Sequence, residues 1–196
     1  DIIEMRSENR FEQYDLNLIL PTPIVPRQDR LTLNERIDHA GLVLKSLDHA
    51  EVDAMVVTIM AGNYDSVAIG LMHSYVNGSH ELQMADALRA AAPNLSISLS
   101  SIISPQMREL PRFNTVIANA YVQPQVARYL GQLIDRLHDV GVISPVFMMH
   151  SGGGLISVET AINQPVRLLE SGPAGGAIYA ANFARAQGID QALSFD

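Results

Sequence analysis

Four stretches of this 196-residue chain bring together residue types that do chemistry. His150-Ser151-Gly152-Gly153-Gly154 carries three consecutive glycines. Without side chains, and with positive φ open to it, such a backbone can approach a ligand closely. It lacks the Lys of a P-loop and the spaced glycines of a dinucleotide fingerprint, so on its own it reads equally as a tight turn or a ligand loop. Ser171-Gly172-Pro173-Ala174-Gly175-Gly176 is placed to open a helix, with Ser171 as cap and Pro173 in the first turn. Free N–H groups at such a start attract phosphate or carboxylate. Glycine inside a helix costs about 1 kcal/mol relative to Ala, which argues either for close backbone packing or for ligand approach. His73, Asn77, His80 and Glu81 fall within one short run. They offer a polar site or ligands for a divalent ion, although the His73 to His80 spacing fits no standard metal motif, and His80 and Glu81 equally suit an exposed first turn. Glu109 to Thr115 leads into a helix whose polar Asn119 and Tyr121 are either bonded inside or part of a site.

These stretches need elements to hold them. A helix is predicted over Val52–Ala61, ending near Gly62, and a buried strand over Ser66–Met72. Ser79 is placed to cap a helix with Leu82, Ala85, Leu88 and Ala92 on one face, stopped by Pro93 and Asn94. Leu95–Ser100 alternates with period 2 and reads as a strand. Residues 115–140 are helical, with Pro124 as a break or as the first residue of a second helix. Val126, Leu130, Leu133, Leu137 and Val140 form its core stripe, and Gly141 its stop. Strands are expected at Val146–Met149 and Val166–Leu169, and helices near Val158–Ile162 and Pro173–Ala186, the last ended by Gly188. The alternation predicts an α/β fold with a mostly parallel sheet covered by helices. Residues 1–40, punctuated by Pro21, Pro23 and Pro26, are expected to be an extended connector. Residues 41–196 form the α/β region, whose final strand, Ala192–Asp196, stops in mid-course. That strand, and an opening on Asp1 without Met, suggest a piece of a longer polypeptide.

Composition excludes some functions. The chain is 47% hydrophobic and 17% charged, as globular domains are, and its formal net charge is −8. Phosphate-backbone binding rests on clustered Lys and Arg, so neither a nucleic acid nor an anionic membrane surface is an expected partner. There is no Cys, hence no disulfide or thiolate metal site. No run approaches the roughly 20 apolar residues of a membrane span.

Taken together, the stretches resemble the hydantoinase A/5-oxoprolinase family, of the N-methylhydantoinase A type. The resemblance lies in Glu35-Arg36, SVAIGLMHSYVNGSHE (Ser66–Glu81), RFNTVIANAYVQP (Arg112–Pro124), HSGGGL (His150–Leu155), PVRLLESGPAGGA (Pro165–Ala177) and LSFD (Leu193–Asp196). It implies an actin/Hsp70/sugar-kinase-like (ribonuclease H-like) nucleotide-binding fold. It implies ATP with Mg²⁺, and the opening of cyclic amides such as 5-oxoproline or hydantoins by phosphorylation of the carbonyl oxygen. Relatives include acetone and acetophenone carboxylase subunits, so a carboxylase subunit is the alternative, with a non-catalytic nucleotide-sensing module as a third reading. By the same resemblance Ser151, Gly152, Gly153, Gly154, Ser171, Gly172, Gly175 and Gly176 line the nucleotide site, and Asp196 lies at its phosphate and Mg²⁺ end. Catalytic residues stay unassigned, and His73, Asn77, His80 and Glu81 match a motif without a role. A B-type hydantoinase subunit or fused domain is the implied partner, and the cytoplasm the implied location. The family's phosphate loops are incomplete here, so residues 1–196 alone are not expected to hydrolyse ATP.

Overall fold

The computed structural model describes residues 2–6 and 14–195, so the expected site residue Asp196 lies outside the described residues. The chain divides into two compact units, 1–121 and 122–196, and the division falls inside a long helix.

In the first unit, a short helix α1 (Ile2–Met5) and a 3-10 turn (Arg27–Asp29) are the regular elements described before residue 36. Strands β1 (Arg36–Ile37) and β2 (Val43–Lys45) then pair antiparallel. The Asp38 carboxylate closes their loop by accepting the N–H groups of Ala40 and Leu42, both at 2.9 Å. The Leu42 bond is the main reason its pKa falls below the ordinary carboxylate value.

Helix α2 (His49–Ala61) begins three residues before the expected Val52, on an Asp48 cap that accepts from Ala50 N, and ends at Gly62 as expected. Strand β3 (Ser66–Ile69), helix α3 (Ser79–Ala91) and strand β4 (Ser96–Leu99) form a βαβ unit. The strands run parallel, from Ser66 opposite Ser96 to Ile69 opposite Leu99; a parallel pair requires a long crossover, and α3 supplies it. The buried face of α3 is His80, Glu81, Met84, Ala85 and Leu88. Leu82, expected on that face, is 45% exposed. Gly78, not Ser79, is the N-cap and offers no side-chain cap bond; the preceding Asn77 makes an Asx turn instead, its Oδ1 accepting Ser79 N–H at 3.1 Å. Leu47, Val52, Ile59, Ile69, Met84, Ala85, Leu88 and Leu99 form the core. A four-residue helix α4 (Ser100–Ile103) leaves β4 directly.

Helix α5 (Glu109–Asp139) starts earlier than expected and carries Pro124 in its interior without a break. Proline's fixed φ suits a helix, so the loss is an i→i−4 bond and not the helix itself. It ends in a Schellman motif: Gly141 takes φ +84°, Val142 N–H donates to Leu137 O and Gly141 N–H to His138 O. Of the expected stripe, Leu130 is buried, Val126, Leu133 and Leu137 are half-buried, and Val140 is 75% exposed.

The second unit contains strands β5 (Phe147–Met149) and β6 (Leu155–Ser157), helix α6 (Val158–Asn163), a 3-10 turn (Pro165–Leu168) and helix α7 (Ser171–Ala186). Strands β5 and β6 are antiparallel. The mostly parallel sheet expected from sequence is therefore corrected to three two-stranded ladders among the described residues, of which β3–β4 is parallel. The segment from His150 to Gly154 is too short for a parallel crossover, so it returns as a hairpin. The strand expected at Val166–Leu169 is the 3-10 turn instead; Pro165 opens it, without the N–H a ladder needs. The strand expected over Ala192–Asp196 is absent from residues 192–195, which form no ladder. Gly188 ends α7 in a second Schellman motif, with Ile189 N–H on Ala184 O and Gly188 N–H on Arg185 O. Among the described residues no helix is long and apolar enough to cross a membrane.

Leu88 is fully buried where α3 packs on the core. We expect Leu88→Ala to destabilise the protein by about 2–5 kcal/mol, the range for a deleted core leucine side chain. Chemical denaturation followed by circular dichroism measures it, and a loss of about 0.5 kcal/mol or less, the size of a surface substitution, would contradict this placement of the core.

Candidate functional site

At the carboxyl ends of β3 and β4 the sequence folds polar groups inward. Glu81 has no exposed surface. Its Oε1 accepts Leu71 N–H at 2.9 Å and the Ser100 hydroxyl at 2.6 Å, and its Oε2 accepts Ser101 N–H at 2.9 Å. With its own proton on Glu81, the Ser100 oxygen accepts from the Ser74 hydroxyl at 3.1 Å. The carboxylate thus binds the residues leaving both parallel strands.

The expected His73–Glu81 cluster does not converge. His80 Nδ1 meets Glu35 Oε2 at 2.7 Å with both side chains nearly covered, 6% and 5% exposed, and so pins the chain before β1 onto α3. Asn77 Nδ2 donates to Gly41 O at 2.8 Å. His73 takes a left-handed backbone, φ +54°, and its Nδ1 meets the Ile37 carbonyl at 2.8 Å. A carbonyl can only accept, so the proton sits on Nδ1 and, in the neutral ring, Nε2 keeps a lone pair. Four residues of one run thus face four separate partners. Among the described residues, no three His, Asp or Glu side chains are grouped to hold a metal ion.

Arg112 lies beside this network, with no exposed surface. Its Nη2 donates to Leu71 O at 2.7 Å and, longer, to Glu109 Oε1 at 3.4 Å. Its Cζ stands 5.4 Å from the centroid of the Tyr75 ring and 5.3 Å from that of Phe113. Burial lowers the guanidinium's pKa below its ordinary value, against the opposing pull of Glu109 and Glu81. Sequence reasoning did not single out Arg112, because an Arg in a helical first turn is ordinarily solvated. Of the two polar residues noted further along α5, Asn119 is buried and donates to Ser98 Oγ at 2.9 Å, while Tyr121 is 70% exposed.

In the second unit, His150–Gly154 is the β5–β6 hairpin turn. His150 N–H donates to Gly154 O at 3.0 Å, Gly153 N–H to His150 O at 2.8 Å and Gly152 N–H to His150 Nδ1 at 3.0 Å. A Cβ on Gly152 or on Gly154 would stand 2.7 Å from the His150 ring, and one on Gly153 2.7 Å from Ile178 Cδ1. The three glycines make room for a neighbouring imidazole and for α7. Ser151 N–H is taken by Arg167 O at 2.8 Å, which ties the hairpin to the 3-10 turn.

Helix α7 starts two residues before the expected Pro173, so Ser171 is its first residue and not its cap. Glu170 occupies the cap position in a left-handed conformation, φ +59°, and no side chain caps the first turn. A Cβ on Gly172 or Gly176 would meet nothing within 4 Å, and on Gly175 only Met149 Cγ at 3.7 Å, an ordinary contact. The close packing offered as one reason for these glycines is absent. The uncapped N–H groups and the bare surface beside them fit the approach of a phosphate.

A fold of βαβ type with a polar strand-end network and a glycine-faced helix start accords with the resemblance, and comparison with known proteins places the chain. It belongs to the hydantoinase/oxoprolinase family. The family model described as hydantoinase/oxoprolinase matches residues 112–196, and that for the hydantoinase/oxoprolinase N-terminal region matches residues 1–92. The chain is 33% identical to an uncharacterised protein of Methanocaldococcus jannaschii, over 100% of this chain and 29% of that one. It is 28% identical to the caprolactamase subunit alpha of Pseudomonas jessenii, over 100% of this chain and 28% of that one. It is 25% identical to the acetophenone carboxylase gamma subunit of Aromatoleum aromaticum, over 90% of this chain and 24% of that one. The crystal structure of the ATP-dependent caprolactamase from Pseudomonas jessenii superposes with a TM-score of 0.84 at 28% identity, covering 96% of this chain and 27% of that one. The chain therefore spans less than a third of the relatives it matches.

Three substitutions test the local geometry. Asn77→Ala should cost about 1–3 kcal/mol, since it removes both the acceptor of Ser79 N–H and the donor to Gly41 O, while Ser79→Ala should change stability by under about 0.5 kcal/mol. Gly176→Ala should stabilise the protein by up to about 1 kcal/mol, since the added methyl meets nothing and the helix gains propensity. Denaturation midpoints report all three, and a destabilised Gly176→Ala would mean that something occupies that face.

Proposed function

We propose that the full-length protein is an ATP-dependent hydrolase that opens cyclic amides. The observation that carries this reading is the 0.84 TM-score, over 96% of the chain, to an ATP-dependent caprolactamase, an enzyme whose name denotes a lactam substrate. The family description, hydantoinase/oxoprolinase, points to the same class of ring. The chemistry is coherent: amide resonance makes the ring carbonyl a weak electrophile, and ATP would supply the phosphoryl group that turns its oxygen into a leaving group. The part this chain would take is positioning and charge stabilisation. The N–H groups that open α7, at Ser171 and Gly172, would hold phosphate oxygens, and Gly175 and Gly176 would leave the backbone clear for them. The Ser151–Gly154 hairpin and Asp196 complete the proposed nucleotide set, with Mg²⁺ at the Asp196 end. An actin/Hsp70/sugar-kinase-like fold for the whole and a cytoplasmic location belong to the same reading. The relatives named as alpha and gamma subunits support a B-type hydantoinase subunit or fused domain as partner.

A second reading is favoured by the acetophenone carboxylase gamma subunit. There the activated oxygen would belong to an enolate and the product would be a carboxylated ketone.

The deciding experiment measures phosphate release by the full-length protein with its partner subunit, using 5-oxoproline, hydantoin and simple lactams, then ketones with bicarbonate. We expect release stimulated by a cyclic amide and independent of bicarbonate. Stimulation by ketone and bicarbonate alone would replace this reading with the carboxylase. Residues 1–196 by themselves should bind Mg·ATP weakly at best: one exposed helix start contributes about 0.3–1 kcal/mol, against an association cost of roughly 4–15 kcal/mol. Saturable micromolar binding in a calorimetric titration of that chain would overturn this expectation.

A further inference from the structure

The hydrogen bonds around Arg112 are incomplete. It has no exposed surface, yet its Nε and Nη1 meet no acceptor. A buried donor left without a partner is strongly unfavourable, and more so when the group is charged. Opposite charge is not what the site lacks, because Glu109 touches this cation and Glu81 acts on it from nearby. The missing partner is better met by a neutral acceptor than by a further anion.

His73 offers the opposite polarity. With Nδ1 donating to Ile37 O, its Nε2 presents a lone pair and meets no partner among the described residues. Its left-handed backbone is of the kind that gathers at binding sites. The two residues are neighbours. His73 N–H and Arg112 Nη2 share Glu109 Oε1, each at 3.4 Å, and both lean on Tyr75, whose ring centroid is 6.3 Å from that of His73 and 5.4 Å from Arg112 Cζ. Both lie beyond the carboxyl ends of β3 and β4, where ligands of parallel α/β sheets bind.

A secondary amide closed into a small ring is held cis, so its C=O and N–H lie on one edge. That edge complements one donor beside one acceptor. We propose that Arg112 and His73 Nε2 read this edge of a cyclic amide, Arg112 donating to the carbonyl oxygen and His73 accepting the N–H. The site rests on the cyclic-amide reading above and gives it a place in this chain. Phe113 is seated against Gly70, where a Cβ would stand 2.6 Å from its ring. Tyr75, half-buried, is the ring that must swing aside to admit the ligand.

The test uses the full-length protein with its partner subunit and three probes of one ring size: a lactam, its N-methyl derivative and the lactone. Calorimetry without ATP should show the lactam bound about tenfold or more tightly than either analogue, the worth of one buried hydrogen bond. His73→Gly, which keeps the left-handed backbone without strain, should abolish that preference. Arg112→Lys should weaken lactam and lactone alike, with folding checked by circular dichroism; if it fails to fold, the His73 variant alone decides. Equal binding of lactam and lactone by the parent protein, or a preference that survives His73→Gly, would overturn the site while amide-stimulated phosphate release kept the proposed function standing. Absence of binding and of stimulated release with every cyclic amide would overturn both.

Discussion

The first unit depends on a buried carboxylate. Glu81 lies out of water at the point where two parallel strands end, and an ionised carboxylate there is tolerable only if its oxygens are satisfied. Three donors do so, and each belongs to a different structural decision. Leu71 N–H fixes the chain leaving β3, Ser101 N–H fixes the first turn of α4, and the Ser100 hydroxyl fixes the end of β4. Side chains on α3 therefore set what happens beyond both strands that α3 connects. Removing the carboxylate would leave two backbone donors and a hydroxyl buried without partners, a larger loss than any one of the bonds themselves contributes.

Arg112 extends the same logic with opposite sign. Its Nη2 grips the Leu71 carbonyl while Glu81 grips the Leu71 N–H, so both polar groups of this residue are held by buried charges. The turn that follows has little freedom left, and His73 takes its left-handed backbone inside it. The pair is not symmetric. Glu81 is satisfied on both oxygens, whereas Arg112 keeps two nitrogens without acceptors. A fold that closes around one charge and leaves the opposing charge open has placed its free hydrogen-bonding capacity at a strand end.

Much of this architecture was legible in the sequence, and the limits have physical causes. Helices α2, α3 and α6 were readable because their periodicity and flanking residues are local. So were the Gly141 and Gly188 stops, because the left-handed C′ position is a property of glycine. Strand direction was not readable at β5 and β6, since pairing partners are not local. Val166–Leu169 misled because an apolar run resembles a strand until Pro165 is given its weight. At the candidate site, the residue types of the His73–Glu81 run were visible but their directions were not. Neighbours in sequence there point to Glu35, Ile37, Gly41 and Ser100, all distant along the chain. Arg112 escaped notice because burial of a guanidinium is decided by tertiary neighbours, here Tyr75 and Phe113.

The two glycine-rich stretches show why composition alone could not rank them. In both, sequence says that a Cβ is unwelcome, and the structure says what that Cβ would meet. In the hairpin it would meet His150 or Ile178, so the glycines are explained from within the unit. In α7 it would meet open space at Gly172 and Gly176, so nothing inside the unit explains them, and each lowers helix propensity without a packing gain. The first turn of that helix is also uncapped, although Ser171 stands where a cap shifted by one residue would have satisfied it. An unfavourable glycine pair beside unsatisfied N–H groups is the reverse of what stability alone would favour. The physical case for an approaching anion therefore rests on α7, and the hairpin, whose glycines and turn bonds are already accounted for, adds little to it.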